Sequence, residues 1–491
     1  MAEHILIQDF MTQSGVKFGT SGARGLVSKM TDRVCFAYTV AFLQHLSSGG
    51  LRPGCSVYLA GDRRPSTPAI LHAVARAAQF LGYVPVNCGL IPSPAVALLG
   101  LKKKAPSIMV TGSHIPDDRN GIKFNSPLGE ITKRDEAGIF SQAVTLPDWF
   151  LADGSIAAHQ RQPLPAADRE ARKLYLNRYL SLWGSDPLEG STIGVYGHSA
   201  VGRELLVELY ESLGAAVTPL DFSEEFVPVD TEAIRSEDIE LARQRAAEQD
   251  FDAIVSTDGD SDRPLISDEK GEWIRGDVAG IVTAQFLNAD AVATPVSCNT
   301  AVDRMGFGAV LRSRIGSPYV IEKMVEARRA GFRRIVGYEA NGGFLIFSDL
   351  PLAGGKTLEA LPTRDAVIVQ LSLILAARAR KIPLSQLIAQ TCQRHTESDR
   401  DQSFENARSA QLMSLLLEGD TSRLTVEFAL GEIVATDFTD GARFTFDSEE
   451  IVHLRPSGNA PELRCYAEAE SAERAAELVQ LGLAVARRLA P

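Results

Sequence analysis

The chain has 491 residues, of which 45% are hydrophobic and 23% charged, and its formal net charge is −12. This balance excludes a largely disordered chain, which would have fewer apolar residues and a larger charge imbalance. The net charge argues against a broad nucleic-acid-binding surface, although a local cluster of Arg and Lys can still bind a small anion. At about 150 residues per domain, the length predicts three or four domains.

Membrane and secretion signals are missing from the sequence. No apolar stretch is long enough to cross a bilayer, and no basic region followed by an apolar block opens the chain. The six cysteines are scattered and form no Cys-x-x-Cys pair, which predicts reduced, mostly buried thiols. We therefore expect a cytoplasmic protein that binds neither membrane nor nucleic acid.

Strand-like and helix-like segments alternate in the first third of the chain. Residues 57–60 form a short apolar run, and from Ser66 the apolar residues recur at helical spacing as far as Gly82. Extended runs follow at 83–86 and at 107–110. This alternation predicts a largely parallel sheet covered by helices.

The same rhythm recurs twice further along. An apolar run at 193–196 is followed by a helix-like segment at 201–213, and runs at 253–256 and 334–337 each end in a polar loop. The layout predicts three related mixed α/β domains.

The last hundred residues have a different pattern. Residues 424–428 and 443–446 alternate as half-exposed strands do, another apolar run occupies 451–454, and one apolar stripe marks a final helix over 475–489. This pattern predicts a smaller C-terminal α+β domain. The predicted domains are residues 1–160, 161–273, 274–385 and 386–491, with linkers near 157–167 and 378–383.

An acidic loop, Asp258-Gly259-Asp260-Ser261-Asp262-Arg263, follows one predicted strand. Without a cation, each close carboxylate pair would repel by about 4 kcal/mol at roughly 4 Å and an effective dielectric near 20. An EF-hand calcium loop needs Gly at its sixth position, where Arg263 stands. A solvated acidic turn is the other alternative, but three carboxylates with positions left for substrate oxygens favour Mg²⁺.

A serine loop, Thr111-Gly112-Ser113-His114, follows another predicted strand. A Ser at a strand end, flanked by Gly and His, could be a nucleophile. The G-x-S-x-G pattern of a nucleophile elbow is absent. From spacing alone, a serine hydrolase and an ordinary Ser-rich turn both remain open.

Two further loops carry polar residues suited to a sugar phosphate. In the loop at 337–343, Glu339 and Asn341 can bind vicinal sugar hydroxyls, although many turns have this composition. In the loop that starts at Arg455, charged groups and backbone amides could surround a phosphate, and the alternative is a tight turn with exposed arginines. The residues of this second loop are Arg455, Ser457, Gly458, Asn459 and, on the following strand, Arg464.

Together with residues 17–25 (KFGTSGARG), these four loops resemble the motifs of the α-D-phosphohexomutases, the phosphomannomutase/phosphoglucomutase superfamily, and they occur in the same order. The resemblance covers nearly the whole chain. It implies four domains around one central cleft and an enzyme that interconverts hexose 1-phosphates and hexose 6-phosphates. By resemblance, mannose phosphate is the first expected substrate and glucose phosphate the second. The enzyme is expected to be a monomer or a homodimer.

The resemblance also implies a role for each matched residue. Ser113 would carry a phosphoryl group and pass it to the sugar through a hexose 1,6-bisphosphate. Asp258, Asp260 and Asp262, with an oxygen of the phosphorylated Ser113, would bind Mg²⁺. His114 and Lys123 would flank the phosphoserine, with Lys123 as general base at a lowered pKa and Arg24 assisting it. Arg263 would orient the site, Glu339 and Asn341 would bind sugar hydroxyls, and Arg455, Ser457, Gly458, Asn459 and Arg464 would bind the phosphate that is not transferred.

The sequence departs from the family pattern at three places. Ile115 replaces the usual Asn of the serine loop, and Asn341 stands where Ser is common. The resulting Glu-Ala-Asn-Gly segment resembles that of N-acetylglucosamine-phosphate mutases. Residues 316–318 (GSP) replace a Gly-His-Ser segment, so the second acid or base is unassigned. The competing functions are a Mg²⁺-dependent phosphatase and an inactive sugar-phosphate sensor.

Overall fold

The computed structural model describes residues 3–19, 22–418, 421–457 and 462–490. Residues 1–276 with 341–384 form one compact unit, and residues 277–340 with 385–491 form a second. Among the described residues, no helix has both the length and the apolar character needed to span a bilayer. The six cysteines are unpaired thiols, and all except Cys55 are buried, as expected.

The helices and strands alternate over most of the chain. Residues 3–146 contain β1 (Glu3–Leu6), α1 (Ile7–Ser14), β2 (Lys17–Phe18), β3 (Gly22–Leu26), α2 (Asp32–Ser48), β4 (Ser56–Gly61), α3 (Thr67–Phe80), β5 (Val84–Leu90), α4 (Ser93–Lys103), β6 (Ser107–Val110), β7 (Arg119–Ser126), β8 (Gly129–Glu130), α5 (Lys133–Phe140) and β9 (Ala143–Leu146). Residues 170–266 contain α6 (Glu170–Leu180), β10 (Thr192–His198), α7 (Arg203–Ser212), β11 (Ala216–Phe222), α8 (Ser236–Glu248), β12 (Ala253–Thr257) and β13 (Pro264–Ile266).

The second half of the chain begins with the same alternation and ends with consecutive strands. Residues 276–380 contain α9 (Gly276–Phe286), β14 (Ala291–Pro295), β15 (Ala309–Ser313), α10 (Ser317–Arg329), β16 (Ile335–Tyr338), β17 (Phe344–Ile346), β18 (Leu350–Pro351), β19 (Thr357–Leu358) and α11 (Ala366–Arg380). Residues 384–489 contain α12 (Leu384–Thr391), β20 (His395–Asp401), α13 (Asn406–Glu418), α14 (Thr421–Phe428), β21 (Ile433–Asp437), β22 (Ala442–Phe446), β23 (Ile451–Pro456), β24 (Leu463–Ala469) and α15 (Ala472–Leu489).

Two sheets of the first unit share one topology. In the first sheet, β5, β4 and β6 are parallel neighbours, and β7 runs antiparallel beside β6. In the second sheet, β11, β10 and β12 are parallel neighbours, and β13 runs antiparallel beside β12. Counted from the first strand of each set, the order is second, first, third, fourth in both sheets. The internal repeat inferred from the layout is therefore present in the strand order.

The second unit contains the third example of this order and a different sheet. Strands β15, β14 and β16 are parallel neighbours, with the first strand between the second and the third. The C-terminal sheet is antiparallel in the order β20-β24-β23-β22-β21 and packs against α15. This confirms the predicted fold class of three related α/β sheets followed by an α+β domain.

Buried apolar faces explain why the helices form where they do. In α2, the Thr31 side chain accepts a hydrogen bond from the Val34 amide at the helix N-terminus, and every residue from 34 to 43 is buried. In α15, the stripe predicted from the sequence is buried throughout: Ala475, Leu478, Val479, Gly482, Val485, Ala486 and Leu489. Burial of this kind contributes about 1.5–3 kcal/mol for each large aliphatic side chain.

One predicted strand is wrong. Residues 424–428 alternate in hydrophobicity but form the helix α14. Leu424 and Phe428 are both about 1% exposed, whereas Val426 between them is 78% exposed. A spacing of four residues places Leu424 and Phe428 on one face of a helix, and the alternation that suggested a strand is also compatible with that face.

Candidate active site

The serine loop connects β6 to β7, and its backbone is held in an uncommon conformation. Ser113 has φ +58°, in the left-handed region that a non-glycine residue adopts at a cost of about 1–3 kcal/mol. Its amide donates a 2.7 Å hydrogen bond to Thr111 Oγ1, and its buried hydroxyl donates a 2.5 Å hydrogen bond to Asp258 Oδ2. The loop therefore directs the Ser113 hydroxyl at the acidic loop.

Arg64 fixes this conformation from beneath, and the sequence analysis did not identify it. Its side chain is fully buried, pairs with Asp62 through Nε at 3.1 Å, and lies 4.0 Å from the centre of the Phe226 ring. Its terminal nitrogens donate to four backbone carbonyls of the loop: Ser113 at 2.9 Å, Ile115 at 2.5 Å, Pro116 at 2.7 Å and Arg119 at 3.0 Å. The two terminal nitrogens thus hold the serine loop, while Nε ties the guanidinium to Asp62.

Two glycines allow the close packing around Ser113. A Cβ atom on Gly112 would lie 2.6 Å from Arg64 Cζ, and one on Gly259 would lie 2.7 Å from the Ser113 carbonyl oxygen. Both distances are shorter than any normal contact. Gly259 therefore does more than permit the curl expected of the acidic loop, because it also lets the two loops touch.

The acidic loop connects β12 to β13 and gathers its three carboxylates. One oxygen from each of Asp258, Asp260 and Asp262 lies within 4.8 Å of the others, and all three residues are buried. Asp260 Oδ2 accepts 2.6 Å hydrogen bonds from Ser93 Oγ and from Lys123 Nζ. Oδ1 of Asp260 and Oδ1 of Asp262 have no hydrogen-bond partner among the described residues.

These two oxygens without hydrogen-bond donors show whether the residues present suit the expected metal ion. Buried carboxylate oxygens without a donor are costly, and a hard divalent cation with oxygen ligands removes that cost. The cluster of three carboxylates beside a serine hydroxyl is the donor set that Mg²⁺ prefers. The residues present therefore fit a magnesium ion.

The pKa values of the carboxyl groups diverge because their neighbours differ. Burial raises the pKa of Asp258 well above its usual range, and the nearby Asp260 and Asp262 carboxylates raise it further. Burial alone would also raise the pKa of Asp260, but the Lys123 ammonium more than offsets this effect and holds that pKa below its usual range. One of the three groups thus resists ionisation, as expected when like charges share a site without a cation.

Lys123, on β7, makes its closest charge contacts with carboxylates. Its Nζ is 2.6 Å from Asp260 Oδ2 and 2.6 Å from Asp262 Oδ2. Burial by itself lowers the pKa of Lys123, but the two carboxylates outweigh burial and raise the pKa. In the protein without a bound ion the pKa of Lys123 is thus raised, and the lowering expected beside Mg²⁺ and arginines stays a prediction for the metal-bound state.

The remaining predicted basic residues are Arg24, His114 and Arg263. Burial, followed by the Arg263 guanidinium, lowers the pKa of Arg24 to about 10. Burial and the same guanidinium lower the pKa of His114 well below its usual range, so this imidazole is neutral near pH 7. Nδ1 of His114 lies 3.3 Å from Ser113 Oγ. The structure thus brings the predicted serine, histidine, lysine and both arginines together.

Arg364 joins this group without any signal in the sequence. A polar cavity of about 40 Å³ is bordered by Arg24, Lys123, Arg263 and Arg364. Arg364 is 4% exposed, and its Nη1 is 3.9 Å from Asp262 Oδ2. It lies two residues before the start of α11, far along the chain from the other members, so no local motif identifies it.

The two predicted sugar-binding residues are divided between the units. Asn341 lies in the first unit, where its carbonyl accepts a 2.7 Å hydrogen bond from Thr231 Oγ1 and its Oδ1 accepts a 3.0 Å hydrogen bond from the Gly343 amide. Glu339 lies in the second unit, directly after β16, and is 3% exposed.

The C-terminal arginines form a row across three strands. Arg464 on β24 is directly opposite Arg455 on β23 and Arg400 on β20, so the three side chains share one face of the sheet. Arg455 donates from Nε to Asp440 at 2.8 Å, and Glu462 lies within 3.5 Å of both Arg464 and Arg400. Arg400 was not predicted.

Of the three other predicted residues of the C-terminal loop, the structure describes one, Ser457. The Ser457 amide donates a 2.9 Å hydrogen bond to the Glu462 carbonyl. Gly458 and Asn459 lie outside the described residues, as do two positions of the first motif, 20 and 21.

We compared the chain with known protein families and with individual relatives. Four models of the phosphoglucomutase/phosphomannomutase family match: alpha/beta/alpha domain I at residues 15–146, domain II at 174–271, domain III at 275–395 and the C-terminal domain at 405–481. The phosphomannomutase of Salmonella muenchen is 44% identical over 474 residues, which cover 96% of each chain. The phosphomannomutase of Sinorhizobium fredii is 42% identical and covers 96% of this chain and 98% of its own.

Solved structures share the fold at low identity. The phosphoglucomutase of Paramecium, in an open form, has a TM-score of 0.71 at 16% identity and covers 96% of this chain and 95% of its own. The N-acetylphosphoglucosamine mutase of Aspergillus fumigatus, in complex with GlcNAc-6P and magnesium, has a TM-score of 0.56 at 13% identity and covers 99% of this chain and 100% of its own. With four domain models matched in order and 44% identity across nearly the full length, this chain belongs to the phosphoglucomutase/phosphomannomutase family.

Proposed function

We propose that the protein interconverts hexose 1-phosphates and hexose 6-phosphates through a phosphorylated Ser113 and a hexose 1,6-bisphosphate, with mannose phosphates as its preferred substrates. One observation carries the proposal: the buried Ser113 hydroxyl lies 2.5 Å from Asp258 in a cluster of three carboxylates. The substrate preference is supported by the phosphomannomutases that are more than 40% identical over nearly the whole chain.

The proposed magnesium site uses the three aspartates together with an oxygen of the serine or its phosphate. When bound, the ion supplies positive charge to the transferring phosphoryl group and removes the repulsion among the carboxylates. Asp260 and Asp262 each have one carboxylate oxygen, Oδ1, that accepts no hydrogen bond from the described residues and could bind the ion. The magnesium present in the Aspergillus fumigatus complex is consistent with this assignment.

The chain's own residues position the groups that react. Arg64 holds the serine loop, while Arg24, Arg263 and Arg364 present guanidinium groups to the cavity where the phosphoryl group would lie. Such charge-assisted hydrogen bonds stabilise the charge on phosphate oxygens. His114, neutral near pH 7 and 3.3 Å from Ser113 Oγ, can accept or donate one hydrogen bond there.

One group, Lys123, is enough to take up and return the proton in the two phosphoryl-transfer steps. A sugar hydroxyl attacks the phosphorus on Ser113, a new P–O bond forms, and the P–Oγ bond breaks with its electron pair left on Ser113. The hydroxyl proton would pass to Lys123 Nζ, whose neutral form requires a bound cation to offset the two carboxylates that otherwise raise its pKa. In the return step the Ser113 oxygen attacks the other phosphate of the bisphosphate, and the departing sugar oxygen recovers the proton from Lys123.

The other residue roles follow from the family and remain part of the proposal. Glu339 and Asn341 would bind sugar hydroxyls. The C-terminal residues Arg455, Ser457, Gly458, Asn459 and Arg464 would bind the phosphate that is not transferred, and Arg400 would join them because it lies in the same row. The four predicted domain boundaries, a monomeric or homodimeric state and a cytoplasmic location complete the proposal.

A second candidate substrate class has one observation in its favour. The Glu339-Ala340-Asn341-Gly342 loop resembles that of N-acetylglucosamine-phosphate mutases, and the Aspergillus fumigatus enzyme of this type shares the fold. Glucose phosphates are the remaining alternative among mutase substrates.

The test compares turnover with Mg²⁺ of the 1-phosphates of mannose, glucose and N-acetylglucosamine, alongside the intact mass of the purified protein. We expect fastest turnover of mannose 1-phosphate and one phosphoryl group that is lost in Ser113→Ala but kept in the control Ser126→Ala. Release of inorganic phosphate at the turnover rate would indicate a phosphatase. Unchanged substrate affinity in Ser113→Ala, with no turnover in either form, would indicate a sensor.

A further inference from the structure

A second cavity lies in the first unit, lined by residues that the proposed reaction does not use. Its volume is about 310 Å³, which is the lower end of the range for small-molecule sites. One wall is a face of α3 that carries Ala69, His72 and Arg76 at helical spacing, and the opposite wall is the segment 161–163. His72 Nδ1 lies 3.2 Å from the Gln162 carbonyl oxygen, which fixes that segment to the helix.

Arg76 is the unusual member of this cavity. It is only 8% exposed, and among the described residues no carboxylate lies within 4.0 Å of its guanidinium. Nη1 donates to Gln79 Oε1 at 3.0 Å, one face of the group covers the Trp149 ring at 4.4 Å, and Nε has no hydrogen-bond partner in the described part of the chain. A buried charge without a counter-ion is costly, and this one borders an open space.

The other charges of the cavity nearly cancel. The carboxylate of Asp32 accepts a hydrogen bond from the Ile156 amide at 2.8 Å and lies 3.7 Å from the guanidinium of Arg161, which is largely exposed. Two arginines and one aspartate line the cavity, and because Arg161 lies beside Asp32, the uncompensated positive charge is on Arg76. The same cavity has apolar surface from Ala69, Ile156 and Pro163.

We propose that this cavity binds a small organic monoanion, a carboxylate attached to an apolar body, with the carboxylate on Arg76. A carboxylate would satisfy the free Nε donor and supply the missing counter-ion. A single negative charge matches the single uncompensated positive charge, whereas a phosphate dianion would face the Asp32 carboxylate. The apolar body would cover the surface of Ala69, Ile156 and Pro163.

Burial lowers the pKa of Arg76, with no neighbouring anion to oppose it. A bound carboxylate would oppose that effect. The site is separate from the serine and acidic loops, so the inference does not depend on the proposed mutase activity.

Benzoate is the probe for the test, and its binding to the full-length protein is measured by isothermal titration and by saturation-transfer NMR. We expect benzoate to bind at millimolar concentration and to bind at least about tenfold more weakly to Arg76→Met, since a lost charge-assisted hydrogen bond is worth about that factor or more. The matched control is Arg134→Met, which removes an exposed arginine from α5.

A second variant keeps the test decisive if Arg76→Met does not fold. Ala69 is exposed on α3, so the larger side chain of Ala69→Leu can be accommodated at the helix surface while it fills part of the cavity. We expect this variant to weaken the binding of benzoate at least about tenfold. The control Ala247→Leu makes the same change on the exposed face of α8 and should bind as the parent does.

Three outcomes would overturn the inference. The first is no benzoate binding at millimolar concentration, and the second is binding that both cavity variants leave unchanged. The third is inorganic phosphate binding in place of benzoate with the same dependence on Arg76, which would refute the assignment to a monocarboxylate. Loss of mutase turnover plays no part in the readout, so this test and the test of the proposed function fail independently.

Discussion

Arg64 offers the sharpest test of how the serine loop is held. The substitution Arg64→Met keeps most of the side chain's volume but removes the guanidinium, which is about 1% exposed. Its loss leaves the Asp62 carboxylate without its ionic partner, and removal of one member of a buried pair costs about 3–5 kcal/mol. Four loop carbonyls lose a donor as well, those of Ser113, Ile115, Pro116 and Arg119.

We expect the free energy of unfolding to fall by about 3–5 kcal/mol in Arg64→Met, since these losses overlap and do not add in full. The Ser113 conformation should relax once its carbonyl is released. A displacement of about 1 Å at a reacting group costs roughly hundredfold in rate, so turnover should fall by at least that factor. Urea unfolding, hydrogen exchange of the loop amides and a steady-state assay measure the three effects.

The neighbouring arginine supplies the control. Arg63 pairs with Glu204 at 2.7 Å, but the Glu204 side chain is 51% exposed, and a pair of this kind contributes about 0–1 kcal/mol. Arg63→Met should therefore leave loop exchange and turnover close to those of the parent. If Arg64→Met matched the parent in stability, loop exchange and turnover, the positioning argument would be refuted.

Three further predictions concern the metal, the second phosphate and pH. Asp260→Asn should weaken Mg²⁺ binding and reduce turnover by more than about hundredfold, and titration with Mg²⁺ that gave unchanged kinetics would remove the metal assignment. Arg455→Ala should raise KM strongly while the intact mass still shows phosphorylated Ser113, and normal substrate binding by this variant would contradict the phosphate role. Burial lowers the pKa of His453 to about 4, whereas in the unfolded chain it is about 6.5, so the unfolded state binds more protons between these values. Stability should therefore be complete above pH 6.5 and fall by up to about 3 kcal/mol as the pH drops to 4, and thermal unfolding of His453→Gln should lose that part of the pH dependence.

Local patterns in the sequence predicted most of the fold. The strands β4, β6, β10, β12 and β16 coincide with apolar runs that end in polar loops, because a strand buried on both faces has a continuous apolar sequence. The prediction failed at α14. Its short amphipathic sequence is compatible with both the helical and the strand periodicity, and only its packing in the folded protein determines which one forms.

The candidate site could be predicted as far as its residues belong to recognisable loops. Ser113 and the three aspartates stand out because they follow predicted strands, whereas Lys123 was assigned through the family resemblance, and the structure brings all five together. Arg64 and Arg364 could not be found this way, because their importance rests on contacts made after folding. Arg400 was missed for the same reason, since only the strand register places it beside Arg464.

The repeated strand order has a consequence for how such a protein can change. In each copy the loop that follows the third strand carries the distinctive residues: those around Ser113 in the first, those at 258–263 in the second and those at 339–343 in the third. The strands on either side of each loop are stabilised by their own burial. The sequence of one loop can therefore change while the strands and the other two loops stay the same. With the roles proposed above, a descendant could acquire a new sugar preference through the third connection alone and inherit its phosphoryl chemistry unaltered.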